Sequence, residues 1–247
     1  MVAIYSTFLQ RAYDQVIHDV CMQNLPVVLT LDRAGIVGED GKTHQGAFDL
    51  SYLDCIPNMV VASPKDENEL QHLLYTSVKL GGPMAIRYPR GNGLGIPLDQ
   101  ELRQLPVGRG EVVREGRDLA ILALGSMVAP ALEAAQLLAQ RGLDCTVVNA
   151  RYAKPLDSSL LLEVVGRMGR VVTVEENALA GGFSSAVLGL VAGSSLRGVR
   201  VECMGLPDHF VEHGPQALLR SCYSMDGEGI ARRVLACFSH LALPLSR

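Results

Sequence analysis

Val27-Val28-Leu29-Thr30-Leu31 runs directly into Asp32-Arg33-Ala34-Gly35-Ile36-Val37-Gly38-Glu39-Asp40-Gly41-Lys42-Thr43-His44-Gln45-Gly46. The first five residues are continuous, apolar and β-branched, the pattern of a strand covered on both faces. The stretch after them, Asp32 to Asp49, is polar and carries four glycines. A buried strand that empties into a long polar loop marks the carboxyl edge of a parallel sheet, where open α/β sheets bind ligands. Working outward, Val2-Ala3-Ile4-Tyr5 predicts a short strand and residues 7–22 a helix. Met59 to Ala62 predicts the next strand. Ser63 and Pro64 then predict a helix start, with serine as cap, proline at the first helical position and Asp66 three residues on. That helix ends near Gly81-Gly82, and Met84 to Arg87 predicts a strand running into Tyr88-Pro89-Arg90-Gly91.

Composition changes at Gly91. The stretch to Asp118 is rich in Gly, Pro and charge and reads as a linker with one edge strand. A second alternating unit follows, with strands expected at 119–124, 145–149, 170–174 and 199–203. Its helices are expected at 128–140, 157–165, 182–192, 215–222 and 227–241. Such alternation predicts an α/β fold of two doubly wound, mainly parallel sheets. The expected division is 1–95, a linker at 96–118, and 119–247.

Of the 247 residues, 48% are hydrophobic and 19% charged. That is one to two domains at about 150 residues each, with enough apolar material for a core, which excludes a disordered or collagen-like chain. With 22 basic and 26 acidic residues the formal charge is −4, which argues against a nucleic-acid partner. No apolar run reaches the roughly 20 residues that cross a bilayer, and Met1 to Thr7 is too short and uncharged for a signal peptide. Cys21, Cys55, Cys145, Cys203, Cys222 and Cys237 are scattered with no C-x-x-C pair. The expectation is a reduced, cytoplasmic chain with no metal site and no membrane contact.

The loop after Leu31 gathers Arg33, Asp40, Lys42 and His44. Arginine suits phosphate through its planar fork of donors, and Asp and His orient hydroxyls or relay protons. The same composition also describes a solvated surface loop. Arg90, just past a strand end, reads as a second anion clamp or as a surface arginine in a turn; two arginines at neighbouring strand ends favour an anionic ligand. Phe8 and Arg11, three apart on one helical face, could stack on and hydrogen-bond a heteroaromatic ring, or be a core Phe and a solvated Arg. Glu175-Glu176-Asn177 follows an expected strand; paired carboxylates fit acid/base work, a helix start or a subunit contact. His209 and His213 are four apart, but Pro207, Gly214 and Pro215 break the helix that a zinc pair would need. His18, His72 and His240 read as ordinary helix residues.

These residues carry a resemblance. Ile4 to Gln15, Asp32 to Gly38, Thr43 to Asp49, Arg87 to Gly91, Val174 to Asn177 and Gly205 to Asp208 closely resemble, in order, the 1-deoxy-D-xylulose-5-phosphate synthases, thiamine-diphosphate enzymes of the transketolase type. The resemblance implies a pyrimidine-binding domain lacking its N-terminal part, joined to a transketolase C-terminal domain. It implies a transferase that condenses pyruvate with glyceraldehyde 3-phosphate, releasing CO2 and feeding isoprenoid, thiamine and pyridoxal synthesis. Tyr5, Phe8 and Arg11 then match the pocket for the cofactor's aminopyrimidine ring, with Phe8 stacked on it. Arg33 and Arg90 match the triose-phosphate clamp, and Asp40 and His44 the catalytic groups that hydrogen-bond the sugar-like part. Mg2+ and the cofactor diphosphate are bound in the family by a G-D-G…N segment, and its activating glutamate precedes the Val2 strand; neither has a match here. The chain is therefore expected to have little turnover alone and to act as a homodimer or with an N-terminal half. The alternative is a non-catalytic assembly or binding module derived from that enzyme.

Overall fold

The computed structural model describes residues 1–238. Ten strands form two five-stranded sheets among these residues. The first has the order β1 (Val2–Tyr5), β2 (Val28–Asp32), β4 (Met84–Arg87), β3 (Val60–Ala62) and β8 (Tyr152–Lys154). It is parallel except for β8, which lies antiparallel on β3. The second has the order β10 (Arg200–Leu206), β9 (Arg170–Ala178), β6 (Leu119–Ala123), β7 (Cys145–Asn149) and β5 (Glu111–Arg114). It is parallel except for β5 on β7. The α/β architecture is the one that alternation implies, but β8 gives the first sheet a strand from the later half of the chain. The halves also share a core: Leu29, Leu31 and Ala85 lie in one apolar cluster with Leu122, Val148 and Phe183.

The segment expected as one helix over residues 7–22 is four short pieces. They are α1 (Ser6–Leu9), a 3-10 turn (Gln10–Ala12), α2 (Tyr13–Gln15) and a π turn (Val16–Cys21). Residues five apart on an α-helix point about 140° away from each other. The wider π turn lets Val16 and Cys21 both reach the core, at 3% and 1% exposure. A short helix not expected from the sequence, α3 (Asp49–Asp54), closes the loop after β2.

Helix α4 (Glu67–Leu80) starts later than Ser63-Pro64 implies. Ser63 accepts no cap role because its N–H donates to the Arg151 carbonyl and its hydroxyl to the Arg87 carbonyl. Asp66 is the cap instead, accepting the Glu69 N–H at 2.7 Å, while the Glu69 carboxylate reaches back to the Lys65 N–H. Gly81, left-handed at φ 74°, ends the helix as expected. The chain after β4 is strapped along α4. Glu67 accepts the N–H groups of Leu94, Gly95 and Ile96, Asn68 that of Asp99, His72 that of Arg103, and Thr76 that of Leu105.

The second unit is covered by α5 (Val128–Ala139), α6 (Ser158–Met168), α7 (Phe183–Ala192), α8 (Gln216–Cys222) and α9 (Gly227–Cys237). The expected extension of α9 to residue 241, and with it His240, lies outside the described residues. Strand β9 runs four residues beyond the expected end at Val174, which draws Glu175, Glu176 and Asn177 into the interior. No described helix is long and apolar enough to cross a membrane.

Candidate active site

The carboxyl ends of β1, β2 and β4 deliver Tyr5, Arg33 and Arg90 to one edge of the first sheet. The long loop between β2 and α3 is pinched at its base, where Gly35 and Gly46 exchange N–H···O bonds of 2.7 and 2.8 Å. Gly35 has φ 78°, and a Cβ there would stand 2.4 Å from Glu176 Oε2. Glycine is therefore required on both conformational and steric grounds. Beyond the pinch, Gln45 Oε1 accepts the Val37 N–H at 2.6 Å, and its Nε2 donates to the Glu212 carbonyl at 2.8 Å.

Arg33 is left-handed at φ 60° and bonds its own N–H to Asp32. Its guanidinium pairs with Asp40 and lies 4.3 Å from the centre of the Tyr5 ring. Arg90 reaches the same Asp40 oxygen at 3.5 Å and donates to the Val37 carbonyl at 3.2 Å. Tyr5 stacks on Phe8, with centroids 5.2 Å apart and planes 17° apart, and Phe8 meets His44 edge-on at 5.5 Å. His44 Nδ1 is hydrogen-bonded to the Thr43 hydroxyl at 2.9 Å, and Thr7 ties that turn down through the Thr43 carbonyl. Six of the seven site residues read from the sequence thus form one continuous group. The seventh, Arg11, is exposed on the 3-10 turn and joins no ion pair among the described residues. Asp40 is committed to both arginines, so it spaces two like charges that would otherwise repel. Phe8 is 46% exposed, a large aromatic face turned to solvent beside this cluster.

Beneath the loop lies a buried ionic layer; the sequence singled out its Glu175 and Glu176 but not Arg87, Asp49 and Arg220, which complete it. Arg87 pairs with Asp49 through Nε and Nη2, both at 3.0 Å, and also donates to the carbonyls of Gly46 and Glu176. Glu176 accepts from Arg220 at 2.7 and 3.0 Å and from the Ser126 hydroxyl at 3.2 Å. Glu175 accepts the N–H groups of Phe183 and Ser184 at the start of α7. Burial nevertheless pushes its carboxyl up to about 7. Both glutamates serve the interior; Glu176 backs the loop at Gly35, and neither bonds to the six clustered site residues. The available signal was charge inside an apolar strand pattern, in Arg87 and in Glu175-Glu176, since buried charge demands a partner.

A cleft of about 510 Å³ opens on the far side of Arg90, walled by Tyr88, Pro89, Gln216, Arg220 and Lys65. Of the seven residues it shares only Arg90 with the loop cluster. The exposed Phe8 face, with Tyr5 behind it, can stack on a planar heteroaromatic ring. Among the described residues no group of three His, Cys, Asp or Glu could hold a metal ion, so magnesium is assigned to no residue here.

The transketolase pyrimidine-binding-domain model matches residues 1–94, and the transketolase C-terminal-domain model residues 108–230. The 1-deoxy-D-xylulose-5-phosphate synthase 1 of Geobacter sulfurreducens is 61% identical over 229 residues, covering 93% of this chain and 36% of that protein. The synthase of Desulforudis audaxviator is 57% identical over 232 residues, 94% of this chain and 37% of that one. The chain thus spans a little over a third of the length of these curated relatives. Among solved structures, a split-gene transketolase described as an inactive β4 tetramer superposes with a TM-score of 0.83 at 31% identity, covering 96% of this chain and 75% of that chain. A Pichia stipitis transketolase mutant, 21% identical, shares the fold with a TM-score of 0.72. With both domain models matched in order and a solved relative aligned along most of its length, the chain belongs to the transketolase family.

Proposed function

We propose that this chain forms the pyrimidine-ring and triose-phosphate side of a 1-deoxy-D-xylulose-5-phosphate synthase. The observation that carries the reading is the convergence of Arg33 and Arg90 on Asp40 beside the Tyr5–Phe8 stack. Two guanidiniums at adjacent strand ends suit a phosphate dianion. Phe8 offers its exposed face to the aminopyrimidine ring, and the resemblance assigns Arg11 to the same ring. Thiamine diphosphate, when bound, supplies the nucleophilic carbon and electron sink for pyruvate decarboxylation. The chain's own part is orientation. Arg33 and Arg90 hold glyceraldehyde 3-phosphate by its phosphate, Asp40 keeps the two guanidiniums in register, and His44 turns toward the carbonyl end. With His44 Nδ1 engaged by Thr43, Nε2 is the atom left to exchange a proton with substrate oxygen.

The chain spans little more than a third of these relatives' length, so the synthase reaction is proposed for the assembly that contains this part. The remaining family segments, together with a second copy, complete that assembly. Calorimetric titration with glyceraldehyde 3-phosphate and with D-glyceraldehyde tests the site. The phosphorylated triose binds the better of the two, and Arg33→Ala or Arg90→Ala weakens it at least about tenfold, as loss of charged hydrogen bonds does. Equal affinity for both trioses, or indifference to both substitutions, contradicts the reading.

A further inference from the structure

The loop that holds Arg33 and Asp40 and the turn that holds Arg90 are joined by one side chain from the other half of the chain. Gln216, at the first position of α8, donates its Nε2 to the Ile36 carbonyl at 2.6 Å and to the Arg90 carbonyl at 3.2 Å. Its backbone is seated on the same loop. A Cβ at Gly38 would lie 3.0 Å from the Gly214 carbonyl and 3.1 Å from the Gln216 nitrogen. Gly38 has φ 98°, so this close approach rests on glycine in both conformation and space. Arg90 closes the ring by donating to the Val37 carbonyl.

We infer that Gln216 is a positioning residue for the triose-phosphate clamp: its amide fixes the distance between the Arg33–Asp40 loop and the Arg90 turn. This rests on the proposed function. An amide with two donors suits the task, since it can satisfy two carbonyls from different loops without adding charge beside a phosphate. Backbone carbonyls left without partners in this half-buried seam would let the two loops part. A displacement of about 1 Å is enough to spoil a convergent ionic site. The second unit therefore shapes the site and is more than a scaffold beneath it.

Gln216→Met keeps side-chain length and bulk and removes both donors. In the 247-residue chain, hydrogen exchange at 36–41 and 90–92 is expected to speed up while exchange in β6 and β7 stays unchanged. Glyceraldehyde 3-phosphate affinity falls about tenfold, with the weak affinity for D-glyceraldehyde unaltered. Gln216→Asn, which retains the donors on a shorter arm, recovers part of the loss. Unchanged exchange in both loops overturns the inference whatever happens to binding. Faster exchange with unchanged triose-phosphate affinity, in a protein where Arg33→Ala does weaken binding, overturns it too. If Arg33→Ala itself has no effect, the anion-site reading fails first and takes the inference with it.

Discussion

Asp40 sits between the Arg33 and Arg90 guanidiniums, and its role can be separated from simple charge. Asp40→Ala makes the cluster more positive. If net charge alone drew in the phosphate, binding would tighten. Because Asp40 holds the arginines in a shared geometry, the substitution is expected to weaken glyceraldehyde 3-phosphate about tenfold in the same titration. Glu175 makes a different residue-scale prediction. Its carboxyl is pushed up to about 7 by burial, so the folded state binds a proton that the unfolded chain, near pH 4.5, has already released. Its stabilising contribution is therefore full below about pH 4.5 and lost as pH rises through about 7. A shift of this size corresponds to roughly 3 kcal/mol. Urea unfolding of the wild type and of Glu175→Gln at pH 5 and pH 8 should show the wild type losing more stability across that window. Parallel losses would contradict the assignment.

The strap along α4 shows how an element is held without a core of its own. Leu94, Ile96, Leu98 and Leu102 are exposed, so apolar burial does little there. The strap is fixed by side chains of α4 instead. His72 accepts the Arg103 N–H on Nδ1 and bonds Asp99 through Nε2 at 2.8 Å, which selects the Nε2–H tautomer when the ring is neutral. His72→Ala is expected to accelerate proteolysis between residues 94 and 105 with little change at β4, and cleavage at the wild-type rate would contradict this. Apolar runs made most strands legible, and the polar loop after β2 marked the binding edge. Strand β8 and helix α3 were not legible, because Tyr-Ala-Lys and Asp-Leu-Ser-Tyr-Leu-Asp mix polar and apolar residues too briefly to set a period, unlike the short but largely apolar β1, β3 and β4. The end of β9 was missed because Glu-Glu-Asn has the composition of a loop. Only partners later in the chain, Arg220 for Glu176 and the α7 start for Glu175, let these charges lie inside a strand. The same limit hid Gln216, whose partner Ile36 is 180 residues away.

At the scale of the whole molecule, the halves are locked by charge as well as by their shared core. Glu69 of α4, 3% exposed, accepts from Arg151 Nε at 2.6 Å and from Asn149 at 2.9 Å, and Glu111 adds contacts to Arg151 and Lys65. Glu69→Ala would leave the buried Arg151 guanidinium with Glu111 as its remaining ionic partner, a loss of about 1.5–3 kcal/mol, and would split a single unfolding transition into two. Retention of one transition at unchanged stability would contradict the lock. This joint sets the α8 end of the second unit over the loop of the first, where the candidate site is completed. The most direct test of that site is its location. Amide NMR shifts during titration with glyceraldehyde 3-phosphate should concentrate in residues 33–44 and 88–91, with a smaller response near Gln216. Shifts confined to the separate groove lined by Met204, Tyr223, Arg232 and Arg233, or no saturable shift at all, would contradict the account.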